Sequence, residues 1–170
     1  MNVLAIIAVV AAIIGLAVAV GLASWISKAD EGNDRMKEIA GFIREGAMAF
    51  LTREYKVMAI VIVVLAVLIG IFISPVTAVL YVCGALLSVL AGFFGMKVAT
   101  LGNVRTAYAA EESGMNKALK IAFRSGAVMG LAVTGLGLLG LGVIICVLDL
   151  ATVVECITGF GLGASSMALF

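Results

Sequence analysis

The fold of this chain is decided by residues 57–96, which read VMAIVIVVLAVLIGIFISPVTAVLYVCGALLSVLAGFFGM. The stretch contains no Lys, Arg, Asp or Glu, and the only proline of the chain, Pro75, lies near its middle. A charged side chain at the centre of a membrane span costs about 2.5–3.5 kcal/mol, so long charge-free apolar runs are typical of spans. Proline removes a backbone donor and disfavours the helical conformation of the preceding residue, Ser74. The stretch therefore predicts two membrane helices, over about 55–73 and 77–97, joined by a tight turn.

Three further charge-free runs, 1–27, 125–148 and 156–170, extend this pattern along the chain. They predict spans over about 3–26 and 122–148, and a fifth over about 152–170. As a helix the first run is about 36 Å long, enough to cross a hydrocarbon core of about 30 Å. It lacks the basic start of a cleaved signal peptide, so we interpret it as a retained span. The predicted fold class is all-α: a polytopic membrane bundle with four complete spans and the start of a fifth.

The composition agrees with a membrane protein and excludes several other classes. Hydrophobic residues make up 64% of the chain and charged residues 12%, against about 45–50% and about 25% in soluble domains. The net charge of +1 gives no field that would attract nucleic acid. Histidine is absent, which removes the commonest metal ligand. We interpret the three cysteines as small apolar residues of the spans, because none lies in a CxxC pair.

The basic residues predict how the chain is oriented in the membrane. All eleven Lys and Arg residues fall in two segments, and basic loops face the cytoplasm under the positive-inside rule. We therefore predict cytoplasmic loops over about 28–54 and 98–121, an N-terminus outside, and Trp25 at the headgroup interface. The basic residues of the two segments are Lys28, Arg35, Lys37, Arg44, Arg53 and Lys56, and Lys97, Arg105, Lys117, Lys120 and Arg124.

Both loops are predicted to be helical. Asn33 and Asp34 are candidate N-caps of a helix that continues into the second span, and Gly114 is predicted to separate two helices in the second loop. Acidic residues alternate with the basic ones, which is typical of a solvated helix surface. These acids are Asp30, Glu31, Asp34, Glu38, Glu45, Glu54, Glu111 and Glu112.

Small residues within the spans predict close helix packing. Gly126 with Gly130, and Gly159 with Gly163, form GxxxG pairs, which let helix backbones approach in lipid. A further stripe of small residues comprises Gly84, Ser88 and Gly92.

The sequence offers no catalytic, cofactor-binding or metal-binding residue to which a role can be given. An ionisable group buried in a span is a functional candidate, and Glu155 is the only residue here that could qualify. It follows the predicted external turn at Asp149 by six residues, so we expect it near the outer interface.

Three ordered blocks of sequence resemble the membrane-bound, ion-translocating pyrophosphatases. The first comprises ADEGNDRMKEIA at 29–40 and IREGAMAFLTREYK at 43–56. The second comprises NVRTA at 103–107, NKAL at 116–119 and AFRSGAVMG at 122–130, and the third is GFGLGASSMALF at 159–170. Glu111 departs from the basic residue common at that place in the family. The blocks cover most of the chain from residue 29 onward.

The resemblance implies a homodimeric pump of the prokaryotic cell membrane that hydrolyses magnesium pyrophosphate and moves H⁺ or Na⁺ outward, in some members with K⁺. It also implies that the segments binding Mg²⁺ and pyrophosphate lie beyond Phe170, so no catalytic residue of the family can be assigned here. Because the chain ends inside an apolar run, we expect an N-terminal fragment that neither hydrolyses pyrophosphate nor transports ions by itself.

Two other classes remain open at this point. One is a four-span proteolipid of a rotary ATPase, a class that has a glycine-lined helix and needs a carboxylate deep in a span. The glycines of this chain that resemble such a helix are Gly135, Gly137, Gly140 and Gly142. The other is a non-enzymatic membrane assembly subunit. Sequence beyond the codon for Phe170 separates these classes from the pump.

Overall fold

The computed structural model describes residues 2–148 and 150–168, and within them the chain forms five helices. Helices α1 to α4 are each long and apolar enough to cross a membrane. The predicted all-α membrane fold is confirmed. The predicted turn at Asp149 and the predicted place of the Glu155 side chain lie outside the described residues. The helices are α1 (Asn2–Ser27), α2 (Asp34–Phe72), α3 (Pro75–Ser113), α4 (Met115–Val147) and α5 (Leu150–Ala168).

The helices begin and end where the sequence offers caps and breaks. The Asn33 side chain accepts a hydrogen bond from the Met36 amide at 2.9 Å, which caps the start of α2. Pro75 is the first residue of α3, where its missing N–H costs nothing. Gly114 separates α3 from α4 with a φ of 83°, a conformation that L side chains rarely adopt. The breaks predicted at these three positions are confirmed.

Helices α2, α3 and α4 extend well beyond the apolar part of each span. Helix α2 runs without interruption from the charged segment that begins at Asp34 to Phe72. At 1.5 Å per residue this helix is about 58 Å long, roughly twice the thickness of a hydrocarbon core. The charged ends of α2, α3 and α4 therefore project as a helical layer at one end of the bundle.

Helix α3 lies at the centre and packs against α2, α4 and α5, whereas α1 packs mainly against α4. The buried residues of α1 recur every seventh position, at Ala5, Ala12, Ala19 and Ile26. On α4, Gly135 and Gly142 lie against side chains of α1, so the small residues of both helices allow a close approach. Large apolar side chains cover the outer surface of the bundle, as expected for contact with lipid.

Candidate functional site

The charged end of the bundle contains a buried arginine, Arg105, on the packed face of α3. Val98, Gly102 and Ala109 are buried on the same face, at spacings of three, four and seven residues that place them in one stripe. Arg105 is 4% exposed, although arginine is almost never buried without partners. Its position therefore requires a set of acceptors around the guanidinium.

Four acceptors surround that guanidinium. Nε donates to the Ala29 carbonyl at 2.9 Å, and Nη1 donates to the Leu101 carbonyl at 2.7 Å. Nη2 donates to the Ser27 carbonyl at 3.0 Å and lies 2.8 Å from Glu31 Oε1. Ser27 is the last residue of α1 and Ala29 follows it, so their carbonyls lie where backbone acceptors lack helical partners. We call Arg105 and these four partners the arginine junction; it ties the end of α1 and the α1–α2 connection to α3.

One carboxylate, that of Glu31, faces two guanidiniums at the arginine junction. The Glu31 carboxylate neutralises Arg105 and also lies 3.9 Å from Arg44 Nη2, the guanidinium of a residue on α2. A positive group near the C-terminal carbonyls of α1 is favourable because that end of a helix carries partial negative charge.

The interpretation of the loop acids as solvated helix surface was wrong for Glu31, because this side chain pairs with the buried Arg105. That interpretation rested on the alternation of acids and bases in the sequence. The sequence signal that could have identified the burial of Arg105 is the run of small residues around it, because small residues let other segments pack closely against α3. Glu31 is half-buried as a consequence, with 31% of its side chain exposed.

A cavity of about 400 Å³ lies beside the arginine junction, between the end of α1, α3 and α4. Its polar lining includes Lys28, Asp30, Tyr108 and Lys117, and Trp25 forms part of the apolar wall. The carboxylates of Asp30 and then Glu112 raise the pKa of the Tyr108 phenol, so this side chain stays a neutral hydrogen-bonding group. We call this space the junction cavity.

The Arg124 guanidinium stacks on the outer part of this wall. It lies 4.0 Å from the centre of the Trp25 ring, within the range of a cation–π interaction.

Within the spans, glycines bring α3 and α5 into backbone contact. A methyl group added at Gly84 would meet the Phe160 carbonyl oxygen, and one at Gly163 would meet the Tyr81 carbonyl oxygen. Gly159 lies equally close to Thr77. The predicted close packing at Gly159 and Gly163 is therefore confirmed.

Polar side chains accompany this contact between α3 and α5. The Tyr81 hydroxyl donates to Ser166 Oγ at 3.3 Å, and Ser88 Oγ donates to the Ala164 carbonyl at 3.2 Å. Thr77 Oγ1 is buried and has no hydrogen-bond partner among the described residues. We call this contact between α3 and α5, with its glycines and polar side chains, the α3–α5 seam. It fixes the position of α5 along α3.

The other predicted GxxxG pair has no packing partner among the described helices. A methyl group at Gly126 or Gly130 would have no neighbour within 4 Å among the described residues. The buried stripe of α4 passes instead through Ser125, Val128 and Ala132. Close packing at Gly126 and Gly130 therefore stays a prediction, to be met only by helices outside the described residues.

In the part of the chain that the structure describes, no three His, Cys, Asp or Glu side chains come together as a metal site would require. Cys83 and Cys146 are exposed thiols and Cys156 is a buried one. The arrangement described above can hold helices together and anchor the bundle in a membrane.

The chain matches the sequence family described as inorganic H⁺ pyrophosphatase over residues 13–170. The chain belongs to this family. The match spans nearly the whole chain, including the three blocks that suggested the resemblance, so that resemblance is confirmed. The proteolipid and assembly-subunit alternatives are not favoured.

Curated relatives of the pyrophosphatase family are similar to most of this chain. A putative K⁺-stimulated pyrophosphate-energized sodium pump of Clostridium tetani is 50% identical over 162 residues. A K⁺-insensitive pyrophosphate-energized proton pump of Methanosarcina mazei is 44% identical over 162 residues. A second such proton pump, from Moorella thermoacetica, is 45% identical over 163 residues.

These alignments cover 93–95% of this chain and 24% of each relative. The chain therefore spans about a quarter of the length of the curated relatives it matches. The match to these pumps and the four long apolar helices identify a multi-pass membrane protein.

Proposed function

We propose that this chain forms the N-terminal quarter of a pump that couples hydrolysis of inorganic pyrophosphate to translocation of H⁺ or Na⁺ across a membrane. The observation that carries the proposal is the family match over residues 13–170, together with relatives that are pyrophosphate-energized pumps. In this proposal α1 to α4 form a membrane scaffold, and α5 begins the part of the pump that continues into the rest of the protein.

The proposal assigns the hydrolytic chemistry to other segments of the protein. Pyrophosphate carries several negative charges, and Mg²⁺ prefers carboxylate and phosphate oxygens. The described residues of this chain do not fit such a site, because no three carboxylates converge among them. We therefore propose Mg²⁺ as a cofactor of the whole pump, and that the 170-residue chain by itself neither hydrolyses pyrophosphate nor moves ions.

The orientation and the assembly are also part of the proposal. We propose that the N-terminus lies outside, that the basic segments lie in the cytoplasm of a prokaryotic cell, and that the pump is a homodimer in the lipid bilayer. The support for the orientation is that the charged ends of α2, α3 and α4 lie together at one end of the bundle.

The test uses the protein expressed from its complete gene, in inverted membrane vesicles. We expect pyrophosphate hydrolysis that depends on Mg²⁺, with uptake of either H⁺, followed by a pH-sensitive dye, or ²²Na⁺. The relatives include both ion specificities and both responses to K⁺, so each assay is run with and without Na⁺ and K⁺. Vesicles that neither hydrolyse pyrophosphate nor take up an ion when it is added would contradict the proposal.

A further inference from the structure

The junction cavity combines a membrane-interface position with basic side chains that form no ion pair among the described residues. Trp25 follows the apolar run of α1, and Lys28 lies one turn further on. Lys117 lies on the first turn of α4 and donates to Ser113 Oγ at 3.2 Å. Among the described residues, neither lysine forms an ion pair, and both are exposed.

Among the residues that line the cavity, unpaired basic side chains outnumber acids. Asp30 is the only acid in its lining, and its Oδ1 already accepts a hydrogen bond from the Gly32 amide at 3.0 Å. Arg105 is neutralised by Glu31 within the arginine junction. Within the lining, Lys28 and Lys117 therefore outnumber Asp30, and Arg124 adds a positive group on Trp25. The carboxylates of Glu111 and Glu112 act on Tyr108 but are not part of the lining.

The surroundings of the cavity suit a lipid better than a soluble anion. Its walls include the apolar surfaces of Trp25 and Ile121. Beyond Trp25, α1 presents exposed apolar side chains on the same face of the span, such as Val18 and Ile14. An anion bound between the lysines would thus lie directly above a surface on which acyl chains can pack. Basic pockets between membrane helices are suited to anionic headgroups in this way.

We propose that the junction cavity binds the phosphate headgroup of an anionic phospholipid, with Lys28 and Lys117 as the charged contacts and the α1 surface below Trp25 as the contact for its acyl chains. A cavity of about 400 Å³ has the volume of an ordinary small-molecule site. The lipid joins α1 to α4 at the interface, next to the point where the arginine junction joins α1 to α3.

The test measures lipid binding to the complete gene product in a neutral detergent by native mass spectrometry. The protein is titrated with phosphatidylglycerol, with phosphatidylcholine of the same acyl chains, and with inorganic phosphate. We expect phosphatidylglycerol to bind at least tenfold more tightly than phosphatidylcholine. The double variant Lys28→Gln/Lys117→Gln should bind phosphatidylglycerol about 25-fold more weakly, since each lysine near an anionic lipid raises the affinity about fivefold.

Two control variants make the result specific to the cavity. Lys56→Gln/Lys97→Gln removes the same charge from basic residues outside the lining and should leave binding within about twofold. Lys28→Arg/Lys117→Arg keeps the charge and should bind as the unchanged protein does. Equal binding of the two lipids, or equal loss in both glutamine pairs, would overturn the proposal. Displacement of the lipid by millimolar phosphate would assign the cavity to a free anion instead and would also overturn it.

Discussion

Arg105 Nη2 lies 2.8 Å from Glu31 Oε1, and the two side chains are 5% and 31% exposed. Their contact joins the central helix α3 to the connection between α1 and α2. Because Arg105 also donates to carbonyls at the end of α1, a single side chain fixes three segments of the bundle relative to one another.

Removing the guanidinium should destabilise the bundle strongly. In Arg105→Gln, the carbonyls of Ser27 and Ala29 lose their donors in a part-buried position, and Glu31 loses its partner. We expect the free energy of unfolding to fall by about 2–4 kcal/mol, the range for losing one partner of a largely buried charged network. Thermal melting of the detergent-solubilised protein measures the change.

The matched control for Arg105 is Arg35→Gln. Arg35 pairs with Glu38 at 2.6 Å, but these side chains are 72% and 50% exposed. Surface pairs of this kind contribute about 0–1 kcal/mol. If Arg35→Gln and Arg105→Gln lowered the melting temperature equally, the assigned role of Arg105 would be wrong.

The α3–α5 seam should be sensitive to a single methyl group. In Gly163→Ala the new Cβ would meet the backbone of Tyr81 and Ala85, which cannot move as a flexible side chain can. Overpacking of this kind costs about 1–3 kcal/mol. Gly126→Ala has open space among the described residues and a helical backbone, so it should be neutral or stabilise by about 0.5–1 kcal/mol. The melting temperatures of the two variants are compared under the same conditions. A lower melting temperature for Gly126→Ala than for Gly163→Ala would contradict close packing between α3 and α5.

The sequence predicted the local features of this fold well, because each depends on residues close together in the chain. Pro75 and Gly114 break helices through their own backbone restrictions, and Asn33 caps α2 through a bond to a residue three positions away. The partners of Arg105 and the face on which Gly126 and Gly130 lie depend on how distant helices pack. Helical spacing shows that two glycines share a face, but it does not show whether another helix covers that face.

The break at Gly114 gives a third test, in which packing plays no part. Its φ is 83°, and a Cβ there would meet no atom within 4 Å among the described residues. Gly114→Ala should therefore cost about 1–3 kcal/mol through backbone strain alone. Gly46→Ala, within helix α2 and equally open, should instead stabilise by about 0.5–1 kcal/mol. Equal melting temperatures for the two variants would show that the α3–α4 break does not need the observed conformation.

The central claim is that four helices cross the membrane and leave both basic segments on its cytoplasmic side. Cysteine accessibility tests it most directly, using Arg35→Cys, Ile73→Cys and Lys117→Cys in a version of the complete gene product without its native cysteines. An impermeant maleimide added to intact cells should label position 73, which lies in the exposed turn between α2 and α3. Positions 35 and 117 should react only after the membrane is opened. Labelling of positions 35 and 117 from opposite sides of the membrane would contradict the account.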